Sequence, residues 1–381
     1  MQITQKIKQQ FQVNIEFDLL FTNNLFHPDN TILQNILSRD AKKKSKAIVI
    51  IDEGVSKSNK DLIPSIYTYF ETYKNSLELC GAVLEIVGGE AIKNDKKYID
   101  QVLERIHEFG IDRHSYVVVI GGGAVLDAVG FAAAIAHRGV RLVRVPTTVL
   151  SQNDSGIGVK NGINYFGKKN FMGSFAAPYA VINDTNFLKS LDPRDWRGGI
   201  SEAIKVALIQ DLAFFEWIET NASALNNGDI TAMNHLIYRC AELHLNHIKS
   251  SGDAFEQGSS RPLDFGHWAA HKLEQLSNYE VRHGEAVAIG IALDSTYSYL
   301  KGYIGEKDLH RILNCFLSLG FEISYQDFTE KVWSGLEEFR EHLGGELTIM
   351  LLESLGKGFE VHEMDQNLVL KAIDYMTTYK K

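Results

Sequence analysis

Apolar residues in the first half of the chain fall in short unbroken runs rather than in alternation. The runs at 47–52 (AIVIID), 83–87 (VLEIV), 116–120 (YVVVI), 141–145 (RLVRV) and 179–183 (YAVIN) read as strands. Amphipathic stretches such as 60–73 and 97–109 lie between them and read as helices. Strands that are apolar on both faces and separated by helices imply a parallel sheet covered on both sides. Beyond about Leu188 the strand signals nearly stop, and 203–225, 231–249, 283–300 and 309–319 carry helical spacing. The pattern predicts an α/β domain with a parallel sheet over 1–188 and a mainly α-helical domain over 189–381, with no internal repeat.

Composition narrows the class. At 381 residues, 45% hydrophobic and 23% charged with six prolines, the chain can build full-sized cores and fits no disordered class. A net charge of -9 argues against nucleic acid as a partner, because phosphate backbones want a basic field. Cys80, Cys240 and Cys315 are far apart without a C-x-x-C pattern, so they read as buried thiols of a reducing compartment. The first residues lack the pattern of a secretory signal, and no apolar run has the length of a membrane span. A cytoplasmic protein is expected, with neither membrane nor nucleic acid as partner.

Residues 116–127 read YVVVIGGGAVLD, a strand running into three glycines and then a helix. Such a turn lets backbone amides and a helix N-terminus approach a pyrophosphate, and it also serves as a plain tight connection. Gly121 and Gly123 give G-x-G, but Leu126 stands where the dinucleotide fingerprint has its third glycine. Asp52, ending the first strand run, suits a ribose hydroxyl or a simple cap. The stretch 146–173 shows neither helical nor strand periodicity and reads as a long loop. Lys160, Lys168, Lys169 and Asn170 within it suit a phosphate and several hydroxyls, or else a solvated basic surface.

Three separated pieces carry possible metal ligands. SEAIK puts Glu202 and Lys205 one helical turn apart, and DFGHWAAH puts His267 and His271 at i and i+4. His283 opens RHGEAVAIGI as a helix start. One carboxylate with two imidazoles is a common catalytic zinc set, although paired histidines also occur as ordinary core residues.

Taken together, the strings GGGAVLD, PTT, QNDSGIGVKNGIN, GKKN, LKSLDPRDWRGGISEAIK, FGH and HGEAVAIGI resemble, in order and spacing, the dehydroquinate synthase or sugar-phosphate cyclase family over 47–356. The resemblance implies a nucleotide-binding α/β domain, a helical metal domain and a homodimer. It implies that Glu202, His267 and His283 hold zinc (or cobalt), and that NAD lies against Asp52, Glu90, Lys93, Gly122, Gly123, Asp127, Thr147, Thr148, Lys169 and Thr185. Asp154, Lys160, Asn170, Lys205 and His271 would face a small phosphorylated sugar, and Arg138 would reach the partner subunit's phosphate site. The activity implied is oxidation of a sugar hydroxyl, β-elimination of phosphate, re-reduction and intramolecular aldol closure.

Several positions depart from dehydroquinate synthase proper. A basic residue expected four before Asp264 is replaced by Ser260, with Arg261 next to it. An upstream lysine has His244 or Asn246 as its nearest counterpart, Asp264 stands where the synthase has Asn, and His342 stands near a missing lysine. A carboxylate at 264 would repel an anionic substrate and accept hydrogen bonds from a neutral, hydroxyl-rich one. Asp264 and His342 are similar to the branch that cyclises sedoheptulose 7-phosphate to valiolone-type cyclitols. FEQGSSRPLDFGHWAAHKLE and FREHLGG look like the EboD-type proteins of secondary metabolism. The alternatives are a true 3-dehydroquinate synthase acting on 3-deoxy-arabino-heptulosonate 7-phosphate, a metal-dependent polyol dehydrogenase of the glycerol dehydrogenase type, and a catalytically idle scaffold.

Overall fold

The computed structural model describes residues 6–41, 43–250, 255, 262–326, 328–342 and 347–379. Ser260 and Arg261 lie outside the described residues, as does the side chain of His342. The first half is a parallel sheet of seven strands: β1 (Asp18–Thr22), β2 (Ser45–Asp52), β3 (Leu77–Leu79), β4 (Leu84–Ile86), β5 (Tyr116–Gly121), β6 (Arg141–Pro146) and, after the hairpin of β7 (Lys160–Tyr165) and β8 (Lys168–Phe175), β9 (Ala180–Asp184). Their order is β1-β9-β6-β5-β2-β3, with β4 on the same edge as β3 but further along β2. Ile48, Ile50, Val117 and Val119 pack into the core on one face, and Val49, Ile51, Val118 and Ile120 into the core on the other. That double burial is why these strands read as unbroken apolar runs.

From β2 the chain first adds strands on one side, then crosses to place β5 on the other. The carboxyl ends of β2 and β5 therefore flank the crevice where open α/β sheets bind ligands. Asp52 ends β2, and the glycine turn ends β5.

The second half is helical, as expected from the sequence. Its helices include Pro193–Gln210, Leu212–Asn226, Ile230–Ser250, His267–Leu276, His283–Leu300, Glu306–Ser318 and Gln366–Thr378. Helix His283–Leu300 is buried on nearly every side, so its apolar residues surround it rather than forming a stripe. The three cysteines are free and buried. Among the described residues, no helix is long and apolar enough to cross a membrane.

The structure corrects some of the expected elements. Stretch 146–173 is not a structureless loop: one π-helical turn (Ser151–Ser155) leads into the antiparallel hairpin β7–β8. Strand β8 is exposed along most of its length, so no buried face imposes an alternation that periodicity could detect. The helix expected over 203–225 is two helices, broken at Asp211, whose backbone is extended and whose carboxylate caps the second helix by accepting from the Phe214 amide. The short strands β1 and β3 and a second hairpin, β10 (Ile349–Ser354) with β11 (Lys357–Val361), were not foreseen.

Candidate active site

Helix Pro193–Gln210 starts at Asp192, whose carboxylate accepts from the Arg194 and Asp195 amides, with Pro193 in the first turn. It crosses helix His283–Leu300 in backbone contact: a Cβ on Gly284 would sit 2.0 Å from the Gly198 carbonyl oxygen. That crossing sets Glu202, one turn further on, against His283. Glu202 Oε1 lies 3.3 Å from His283 Nε2 and 3.5 Å from His267 Nε2. The three residues offer donor atoms within 4.8 Å of one another, Glu202 from the middle of its helix and the two histidines from the first positions of theirs.

The cluster is buried and strongly charged. Glu202 is wholly inaccessible, and its Oε2 lies 2.5 Å from Lys205 Nζ. Burial pushes the Glu202 carboxyl up, but Lys205 and the two imidazoles overcome this and hold it well below the usual range. Burial likewise opposes the charge on Lys205, and Glu202, Asp154 and Asp264 together hold its pKa above the usual lysine value. Asp154 is 3.9 Å from Lys205 and 2.7 Å from His244 Nδ1, although the imidazole hydrogen is not aligned with the carboxylate. Of the two candidate counterparts for the missing lysine, His244 reaches this network and Asn246 is exposed. The His271 ring centroid lies 5.5 Å from that of His267 and 6.0 Å from that of His283.

This donor set fits a divalent transition metal. Two imidazoles and one carboxylate are a catalytic zinc combination that leaves positions open. Neither oxygen of the buried Glu202 has an aligned hydrogen-bond donor in the described chain. The Lys205 ammonium stands by Oε2, but Oε1 faces only the two imidazoles, an expensive arrangement that a cation there would relieve.

A cleft of about 530 Å³ runs from the crevice of the sheet to His283 at the edge of this cluster. Asp52, Gly122, Gly123, Thr147 and Thr148 line it from the sheet side, and Arg194, Arg282 and His283 from the helical side. Helix Gly123–Ile135 points its N-terminus into it, so free amides and a positive dipole end face the space where a pyrophosphate would lie. Asp52 lines the cleft and also caps helix Glu53–Ser58, its carboxylate accepting from Gly54 N at 2.8 Å.

Other expected cofactor residues do not line this cleft. Lys93 and Asp127 form a largely buried ion pair at 2.8 Å, bracing the glycine-turn helix. Glu90 accepts from Asn164 Nδ2 at 2.7 Å, and the Thr185 hydroxyl donates to Asn234 at 3.0 Å. Lys169 pairs with Glu274 at 3.1 Å. Lys160 and Asn170 are exposed on the hairpin, and Arg138 is exposed beyond helix Gly123–Ile135. Among the described residues, Asn170 and Arg138 take no part in the ion pairs of the cluster.

Two residues with clear roles escaped the sequence reading. Glu274, seven positions after His267 and hence on the same helical face, lies 3.1 Å from His283 Nδ1. Arg144 is fully buried in β6 and donates to the carbonyls of Gly156, Gly158 and Lys160 and to the side chain of Asn161, gathering the chain before β7 around one guanidinium. Its burial lowers its pKa to about 10.

Comparison with known proteins agrees with this geometry. Residues 83–198 match the 3-dehydroquinate synthase N-terminal family and residues 199–339 the 3-dehydroquinate synthase C-terminal family. The 3-dehydroquinate synthase of Acinetobacter baylyi is 32% identical over 357 residues, covering 93% of this chain and 94% of that one. Among solved structures, ValA, the 2-epi-5-epi-valiolone synthase of Streptomyces hygroscopicus subsp. jinggangensis with NAD+ and Zn2+ bound, superposes with a TM-score of 0.87 at 26% identity, covering 97% of this chain and 99% of that one. A 2-deoxy-scyllo-inosose synthase complexed with carbaglucose-6-phosphate, NAD+ and Co2+ shares the fold with a TM-score of 0.76 at 22% identity, over 94% and 96% of the two chains. The chain belongs to the 3-dehydroquinate synthase family.

Proposed function

We propose that the chain is an NAD- and metal-dependent sugar-phosphate cyclase of the valiolone-synthase or EboD-type branch, acting on sedoheptulose 7-phosphate or a similar heptulose phosphate without a carboxylate. The observation that carries the reading is a cleft that runs from the glycine turn to His283, whose ring meets the buried Glu202 and His267, with the carboxylate of Asp264 in electrostatic reach of Lys205. The overall likeness to a valiolone synthase supports the same branch.

Glu202, His267 and His283 would hold the cation, and the cleft walls at Asp52, Gly122, Gly123, Thr147 and Thr148 would hold the nucleotide. When bound, NAD supplies a hydride acceptor that can return what it takes, and Zn2+ or Co2+ supplies a Lewis acid for the substrate hydroxyls. Lys205, locked between Glu202 and Asp154, keeps its proton and presents a fixed ammonium beside the reacting hydroxyls. Asp264 accepts from a hydroxyl at the place where a substrate carboxylate would be repelled. Lys160 and Asn170 hold the phosphate as it leaves, and Arg138 adds to the partner's site in a homodimer. Confinement of the opened sugar then favours its own aldol closure over escape.

The test offers purified protein, with NAD and Zn2+, each sugar phosphate separately and follows phosphate release. Release from sedoheptulose 7-phosphate, lost together with bound metal in Glu202→Ala, is the expected result. The second reading is a true 3-dehydroquinate synthase, favoured by the curated relative at 32% identity. Turnover of only the carboxylated sugar would establish it, and NADH accumulating with a simple polyol would point instead to a dehydrogenase.

A further inference from the structure

Glu274 is 5% exposed and sits between two polar partners from opposite halves of the chain. On one side its Oε2 is 3.1 Å from His283 Nδ1. On the other, Lys169 Nζ reaches both of its oxygens, at 3.1 and 3.3 Å. Lys169 belongs to β8 of the hairpin, whereas Glu274 stands on helix His267–Leu276. The nitrogen of His283 that turns toward Glu202 is the other one, Nε2, at 3.3 Å.

We infer that Glu274 is a positioning residue: it fixes the His283 ring for the cation and, through Lys169, ties the hairpin to the metal cluster, so that ordering one orders the other. The inference rests on the metal reading above. An imidazole that gives its Nδ1 hydrogen to a carboxylate has one tautomer and one ring orientation, with the Nε2 lone pair free for a cation. A carboxylate buried for that purpose needs a counter-charge, and Lys169 supplies it. Because Lys169 comes from the hairpin, this counter-charge is in place only when β8 lies beside helix His267–Leu276.

A rival arrangement is a second cation between His271, Glu274 and His283, whose donor atoms also lie within 4.8 Å of one another. Such a cation would have to displace the ammonium that already spans both oxygens of Glu274, and it would sit close to the first. The single-site arrangement with Glu274 behind His283 leaves every contact in place.

The test uses full-length protein and two readouts that do not depend on turnover. Zn2+ affinity is measured by chelator competition, and hydrogen exchange is followed in peptides covering 160–175, with and without Zn2+. Wild-type protein is expected to bind one Zn2+ per chain, and Zn2+ should slow exchange across the hairpin. Glu274→Gln should weaken Zn2+ by about 10- to 100-fold, the usual effect of losing the partner of a ligating histidine. Lys169→Met, a substitution on a half-buried strand position, should keep the Zn2+ site while abolishing the protection of the hairpin by Zn2+. Unchanged affinity in Glu274→Gln, Zn2+ protection persisting in Lys169→Met, or two Zn2+ per chain would each overturn the inference. A wild-type protein that binds no Zn2+ at all would instead overturn the metal reading itself.

Discussion

His244 Nδ1 lies 2.7 Å from Asp154 Oδ1, the oxygen that also faces Lys205 Nζ at 3.9 Å. Burial pushes the Asp154 carboxyl up, yet Lys205 and His244 together hold it below its ordinary value, which keeps it an anion. The other ring nitrogen of His244 is 4.0 Å from the point where a side chain on Gly158 would begin, so the imidazole looks onto the segment leading to Lys160. Helix Ile230–Ser250 thus brings to the Asp154–Lys205 pair a group that no spacing rule identifies.

Replacing His244 with Ala should lower kcat/KM for the sugar phosphate by about tenfold, on the order of 1.4 kcal/mol, through loss of the imidazole that stands against Asp154. Metal content and NAD affinity should stay at wild-type values, since His244 contacts neither site. Steady-state kinetics combined with metal analysis check this, and a variant with unchanged kcat/KM would remove His244 from the active site.

The nucleotide end of the cleft makes a separate prediction. A Cβ on Gly88 would fall 2.4 Å from Asp52 Oδ1 and 2.5 Å from Oδ2, and that carboxylate is already fixed by the Gly54 amide. Gly88→Ala must therefore displace Asp52 from its place in the cleft wall. NAD should bind about tenfold more weakly, on the order of 1.4 kcal/mol, and loss of the cap on Glu53–Ser58 should cost about 1 kcal/mol of stability. Fluorescence titration with NADH and thermal melts measure the two effects. Zn2+ affinity, set at the far end of the cleft, should not change.

How far the sequence foretold these features follows from the physics of each segment. Strands β2, β5, β6 and β9 are buried on both faces, and their apolar runs were legible at once. Hairpin β7–β8 was not, because β8 has no buried face, and the order in the segment before it comes from Arg144, an arginine that spacing alone would assign to the surface. Glu202, His267 and His283 were legible as residue types in suggestive settings. Their meeting depends on Gly284 pressing against Gly198, which no local pattern records. Glu274 was accessible in principle from its i+7 spacing to His267. With 48 acidic residues in the chain, one carboxylate at helical spacing is not a signal until Lys169 and His283 are seen beside it.

The last prediction concerns Asp294, buried within helix His283–Leu300 against the two chain neighbours of His267. Its carboxylate accepts from Trp268 Nε1 and from the Gly266 amide, each at 3.0 Å, and so pins the turn on both sides of His267. Burial pushes its pKa up to about 7, and the two donors only partly counter this. A carboxyl whose pKa is higher in the fold than in the unfolded chain, where it is about 4, binds its proton more tightly when folded. Its contribution to stability is therefore complete below about pH 4 and is lost as the pH rises through 7. The slope is up to about 1.4 kcal/mol per pH unit across that window. Metal-free wild-type protein should accordingly lose thermal stability between about pH 4 and pH 7 more steeply than Asp294→Asn, whatever the absolute stability of the variant. Chelator-treated samples keep the titration of the ligands common to both proteins. Parallel melting curves across that range would show that Asp294 is ionised throughout and that its two donors, rather than burial, set its charge.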